Sequence, residues 1–234
     1  MYRRSFPRTI GILGVLFGGV VIVLVCLARH EPERYTRSGV PAGPERQRLS
    51  EDFYSAFTGM INDSNGNDSW NAHFTEEQVN GFFEEGFVQS GLNRQMLPDR
   101  ISAPRVGFDD DKVRIAFRYG CGFWSTIVSI DFRVWVTKTP NVVCLELVGS
   151  HAGALPINAQ SLLKRISDEL MRQGSIQVSW YRHDGRPVVL LSFQADQPRT
   201  TLQLTEIKVA ANSITIHGKN GATARTALLT PDVD

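Results

Sequence analysis

FWSTIVSIDFRVWV, residues 123–136, alternates in character along its whole length. Trp124, Thr126, Val128, Ile130, Phe132, Val134 and Val136 fall on one face; Ser125, Ser129, Asp131 and Arg133 fall on the other. Ile127 and Trp135 break the rule. A period of two is the signature of a strand with one buried face. At ~3.3 Å per residue such a strand runs ~46 Å, whereas most strands have ~5–6 residues. The stretch therefore predicts an elongated, bent sheet. Thr139-Pro140-Asn141 turns the chain, and Val142–Val148 returns as an antiparallel partner. On the other side of Gly120-Cys121-Gly122, Val113, Ile115, Phe117 and Tyr119 alternate as a further strand, entered through the turn Asp109–Asp111.

Helices flank this sheet on both sides in sequence. Leu49, Phe53, Phe57 and Met60/Ile61 recur at steps of three or four, predicting a helix over 46–61. Asn62–Asn71, rich in Asn, Asp and Ser, predicts a loop. Thr75 with Gln78 forms a capping box, and Glu76 and Glu77 suit the positive end of the helix that follows. Val79, Phe82, Phe83 and Phe87 make its apolar face, and Pro98 and Pro104 mark its exit. Asn158 caps a third helix with a stripe of Leu162, Leu163, Ile166 and Leu170, ended by Gly174. Strands then resume. Ile176, Val178 and Trp180 alternate, Asp184-Gly185 signals a hairpin, and Val188–Phe193 returns. Leu202, Leu204, Ile207 and Val209 form another strand, whose slip between 204 and 207 predicts a bulge. Asn212 turns the chain into Ile214–His217, an edge that could pair with another chain. The order of elements predicts an α+β domain with an antiparallel sheet packed on amphipathic helices.

The first residues concern the compartment. Ile10–Ala28, IGILGVLFGGVVIVLVCLA, is 19 residues without a charge. A helix of ~20 apolar residues crosses ~30 Å of hydrocarbon. Arg3, Arg4 and Arg8 precede the run and mixed charges follow, which places a cytoplasmic tail at 1–9 and everything after the span outside. A signal peptide cut after Ala28 is the alternative, but the run exceeds the ~7–15 residues of a signal core. Residues 29–48 hold three prolines, two glycines and no period, and are expected to form a linker. The exported domain is expected over 49–218, followed by a flexible tail over 219–234.

Composition excludes more than it names. Lys+Arg number 25 against 24 Asp+Glu, a net +1; with the three leading arginines set aside, the rest carries −2. That balance does not suit nucleic acid. The five histidines are isolated, and no nucleophile elbow, phosphate loop or dinucleotide fingerprint occurs. Neither a catalytic residue, a metal ligand nor a cofactor is predicted, and the chain is not expected to be an enzyme. Asp109–Asp111 lacks the spaced ligands of a calcium loop. Cys144 is expected opposite Trp135, far along the hairpin from Cys121, which argues against a disulfide between the two cysteines.

Over most of its length the chain resembles the YpmS-like family of single-pass bacterial membrane proteins. The resemblance rests on the N-terminal anchor, FTEEQVNGFFEE (74–85), VGFDDDKVRIAF (106–117), the paired strands, SHAGALPI (150–157) and LQLTEIKVAANSITIHG (202–218). It implies architecture and topology, and no activity. Two functions follow as expectations. The elongated sheet around helices resembles tubular lipid-binding domains. Phe82, Phe83, Phe87, Trp124, Val128, Phe132, Leu162, Ile166 and Leu170 would then line a groove for lipid or another apolar ligand at the membrane surface. The alternative is a structural or assembly module of the envelope, docking a protein partner through Arg114, Arg118 and Arg133.

Overall fold

A computed structural model describes residues 6–139, 141–172, 176–183, 185–193 and 202–220; within these, side chains are described from residue 17 onward, except those of residues 66, 169, 170, 172, 176 and 202. The chain opens with helix α1 (Phe6–Arg29), a short helix α2 (Glu33–Arg37) and the long helix α3 (Pro44–Gly66). Strand β1 (Ser69–Thr75) leads into α4 (Glu76–Glu84), α5 (Gly86–Gln89) and α6 (Leu92–Met96). Then come β2 (Ile101–Asp109), β3 (Lys112–Tyr119), β4 (Thr126–Val136), β5 (Val142–Ala152) and the short β6 (Leu155–Pro156). Helix α7 (Gln160–Arg172) precedes β7 (Ile176–His183), β8 (Arg186–Phe193), β9 (Leu202–Ala210) and β10 (Ser213–Asn220).

The fold is α+β with antiparallel pairing throughout the described residues. A seven-stranded sheet runs β2-β3-β4-β5-β8-β7, with β6 folded back on β5; a three-stranded sheet runs β1-β10-β9. Several turns are those the residue types demand. Asn141 and Asn212 sit in left-handed backbone at φ 59° and 61°, a conformation Asn tolerates better than most residues. The bulge expected between 204 and 207 is present: His217 pairs with Glu206 and Gly218 with Leu204. The Thr75–Gln78 capping box closes in both directions, and Asn158 Oδ1 accepts the Gln160 N–H at 3.0 Å. Cys144 stands opposite Trp135, and both Cys121 and Cys144 are free thiols.

The core lies on one face of β3–β5. Phe117, Val128, Ile130 and Phe132 are buried there with Ala159, and Leu162, Leu163 and Ile166 of α7 close over them. A second apolar centre joins α3 to α4, where Phe53 lies 4.6 Å from Phe82 and 5.2 Å from Phe74 between ring centroids. Gly81 makes this approach feasible, because a Cβ there would stand 2.8 Å from Leu49 Cβ.

Several expectations need correction. The strand expected over 123–136 begins at Thr126, because Gly122–Trp124 forms a 3-10 turn. The helix expected over 46–61 runs from Pro44 to Gly66 and takes in half of the supposed loop, and Ser69–Thr75 completes that loop as a strand. The edge strand β2 went unrecognised, because Pro104 interrupts it where its register shifts between Ser102 and Arg105. Ile214–His217 is no edge: β10 is the central strand of its sheet. Nor does a tail begin at 219, since Lys219 pairs with Ser69, and the absent side chain of Gly218 makes room for the Trp70 ring. Residues 29–48, expected to form a linker, are helical in part. Tyr35 in α2 is buried and α3 begins within the segment. Gly174, Asp184 and residues 221–234 lie outside the described residues.

Among the described residues no helix is long and apolar enough to cross a membrane.

The Gly81 contact is testable. Gly81→Ala gains ~1 kcal/mol of helix propensity, but the new methyl must push two helices apart, at about 1–3 kcal/mol. Chemical denaturation of the full chain in detergent is expected to show net destabilisation; a stabilised variant would mean that α3 yields freely.

Candidate functional site

Among the described residues a cleft of about 1030 Å³ opens on the reverse face of the large sheet. Its walls are the 32–41 segment, the N-terminal end of α4, the edge strand β2 and the outward residues of β3–β5. Three groups of interactions shape it.

The first is a polar stripe on α4. Glu76, Asn80 and Glu84 recur every four residues, so they share one face of the helix. That face lies along β2, whose outer edge has no strand partner. Asn80 is fully buried; its amide nitrogen donates to the Val106 carbonyl at 2.9 Å, and its carbonyl accepts the Val106 N–H at 2.8 Å. Glu76 Oε2 accepts the Phe108 N–H at 2.9 Å, and its Oε1 accepts the Ser38 hydroxyl at 2.9 Å. Glu84 accepts the Val40 N–H at 3.2 Å and pairs with Arg105 at 2.7 Å. Side chains of a helix thus supply what a neighbouring strand would.

The second is the clamp on Tyr35. Its ring is buried with Ala116 and Ile127, and its hydroxyl donates to the Ala103 carbonyl at 3.0 Å. The Arg105 guanidinium lies 4.3 Å from the ring centroid and donates to the Tyr35 carbonyl. Burial raises the Tyr35 pKa, so the phenol stays a neutral donor. Ile127, the exception in the alternation of β4, is therefore apolar because the 32–41 segment covers it.

The third is a ladder of opposite charges across the strands. Arg114 on β3 grips Asp131 on β4 with two hydrogen bonds, at 2.6 and 3.2 Å. Arg34 reaches Asp109 at 2.7 Å. Further along, Arg133 bonds Asp111 at 3.1 Å and Glu146 at 3.2 Å, and Arg186 bonds Glu146 at 2.9 Å. Arg186, and behind it Arg133, hold the buried Glu146 below the usual carboxylate range against the opposing pull of burial. The three arginines proposed for docking are thus already engaged within the chain, Arg118 with Glu31.

The residues expected to line an apolar groove fall elsewhere. Val128 and Phe132 meet Leu162 and Ile166 in the core under α7. Phe82, Phe83 and Phe87 stack on one another, at 5.5 to 6.1 Å between centroids. Trp124 stands 79% exposed on the 3-10 turn. The Leu170 side chain lies outside the described residues. None of the other eight lines the cleft. The cleft residues carried one legible signal, the Glu76/Asn80/Glu84 spacing; the rest become neighbours only through strand register. Among the described residues no cluster of His, Cys, Asp and Glu is arranged to hold a metal ion. Comparison with protein-family models, curated proteins and solved structures returns no match to this chain.

Two tests follow. Asn80→Ala leaves the Val106 N–H and C=O unpaired beneath a helix, and is expected to cost roughly 2–4 kcal/mol in denaturant titration. Glu146→Gln addresses pH. A depressed carboxylate contributes stability above its unfolded pKa, ~4.3, and loses it as pH falls through the lower folded value. The variant is expected to be less stable at neutral pH and to lose less on acidification below ~4 than the parent chain. Parallel acid limbs for the two proteins would show that the Arg186–Glu146 pair contributes nothing to folding.

Proposed function

We propose that this chain is a single-pass anchored module of the cell envelope, with its N-terminus in the cytoplasm and its α+β domain outside, which docks a protein partner through this cleft of mixed character. The run 10–28 would be the span. In its support, Val20, Val21, Ile22, Val23 and Leu24 are all exposed in succession on α1, so that part of the helix is apolar all round and nothing among the described residues covers it. At 1.5 Å per residue the 24 residues of α1 reach ~36 Å, enough for a bilayer core. The YpmS-like resemblance agrees with this arrangement.

The observation that carries the docking reading over apolar carriage is the chemistry of the cleft. Its lining includes Glu76, Glu77, Arg105, Asp109, Arg114, Asp131 and His151. A lipid chain would strip water from these charged pairs, whereas a polar peptide surface offers complementary charge to them. Seven of the residues of the lipid-binding expectation, Phe82, Phe83, Phe87, Val128, Phe132, Leu162 and Ile166, pack within the protein.

Site-specific photo-crosslinking of the full chain in its membrane separates the two. A photoreactive residue at Glu77, on the cleft rim, is expected to give one defined protein adduct. The same residue at Phe83 or Ile166 is expected to give no lipid adduct. Lipid adducts of a single class at Phe83 or Ile166 would restore the carrier reading.

A further inference from the structure

The loop after β3 presents an aromatic pair that neither the core nor the cleft uses. Phe123 and Trp124 are 62% and 79% exposed, edge to face at 5.4 Å between ring centroids. Exposing two adjacent large aromatics is costly in water, and the backbone that does it is rigid. Gly120 and Gly122 adopt φ +102° and +53°, and a Cβ at Gly120 would stand 2.4 Å from the Trp124 carbonyl oxygen. The Trp124 N–H donates to the Cys121 carbonyl at 3.2 Å, and the Ser125 hydroxyl to the Gly122 carbonyl at 3.0 Å.

The same loop adjoins the end of α1. The Arg29 guanidinium lies 4.1 Å from the Phe123 ring centroid. The Ala154 N–H donates to the Leu27 carbonyl at 2.9 Å, and the Thr126 hydroxyl donates to the Ala28 carbonyl. Gly153 permits this approach, because a Cβ there would stand 2.4 Å from the Leu27 carbonyl oxygen. The domain therefore grips the last turn of α1 where its sequence changes from apolar, at Ala28, to charged, at Arg29.

We infer that Phe123 and Trp124 form a foot that inserts into the headgroup region of the bilayer and sets the attitude of the domain on the membrane. The inference rests on the anchor reading above. The boundary at Ala28/Arg29 marks the depth at which hydrocarbon gives way to headgroups, and the Arg29–Phe123 contact places the aromatic pair at that depth. An indole fits this zone, with an apolar body and a polar N–H. Arg29 beside it supplies a cation for lipid phosphate.

The test uses the full chain reconstituted into phosphatidylcholine/phosphatidylglycerol vesicles whose acyl chains are brominated near the carbonyl end. Bromine quenches tryptophan only at short range, and Trp124→Phe isolates the contribution of this one indole. Flotation with the vesicles and resistance to alkaline extraction test the anchor separately. The expected result is that the parent chain loses a substantial fraction of its emission relative to unbrominated vesicles and the Trp124→Phe variant loses much less. Equal quenching of the two proteins, with both still floating, overturns the foot and leaves the anchor standing. Failure to float removes the anchor reading and the foot together. Because Trp124 is largely exposed, its replacement is not expected to unfold the chain, and an unchanged circular dichroism spectrum checks this.

Discussion

The edge of a sheet exposes unpaired amides, and burying them without partners costs free energy at every residue. In this fold the outer edge of β2 lies under α4, and the conflict is resolved by side chains. Asn80 exchanges two hydrogen bonds with Val106, and Glu76 takes the Phe108 N–H. The rest of the arrangement depends on that seam. It fixes the angle at which α4 leaves the sheet. That angle brings Gly81 against Leu49 and stacks Phe82 on Phe53. It also leaves Glu84 free to receive Arg105, which in turn grips Tyr35. One i, i+4, i+8 stripe thus joins the sheet, the helical layer and the segment that follows α1.

The two faces of β4 have different fates. Val128, Ile130 and Phe132 meet α7 in a dry core. Ile127, Asp131 and Arg133 face the other way, where an apolar patch holds Tyr35 and a lattice of opposite charges continues across β3, β5 and β8. Exposed ion pairs contribute little individually to stability. Within the cleft, Arg34, Asp109, Arg114 and Asp131 belong to this lattice and give it a mixed-charge surface.

Segment 29–48 gains its significance from this geometry. A loose tether would let the domain drift from α1. Here the Leu27 and Ala28 carbonyls, Glu31, Arg34, Tyr35 and Ser38 all bond to the domain, through Ala154, Thr126, Arg118, Asp109, Ala103 and Glu76. The same short segment forms one wall of the cleft.

By itself the sequence determined what is local. The alternation along β4, the Thr75–Gln78 box, the Asn158 cap, the Asn212 turn and the bulge before Ile207 are set by backbone preferences and side chains within a few residues of one another, and the α+β class follows from their order. The apolar residues expected to line a groove were correctly recognised as apolar, but periodicity identifies a buried face without saying whether a ligand or another helix buries it. Tertiary structure decided that Val128, Phe132, Leu162 and Ile166 pack in the core, that Phe82, Phe83 and Phe87 pack together, and that Trp124 stands exposed. It also decided the cleft. Arg34 with Asp109, Tyr35 with Ala103 and Arg186 with Glu146 are pairs brought together across 40 to 75 positions, and no local preference encodes such a meeting. The prolines and glycines of 29–48 suggest a linker, and it is the apolar patch at Ala116 and Ile127, with the bonds to Asp109, Ala103 and Glu76, that lays this segment on the sheet.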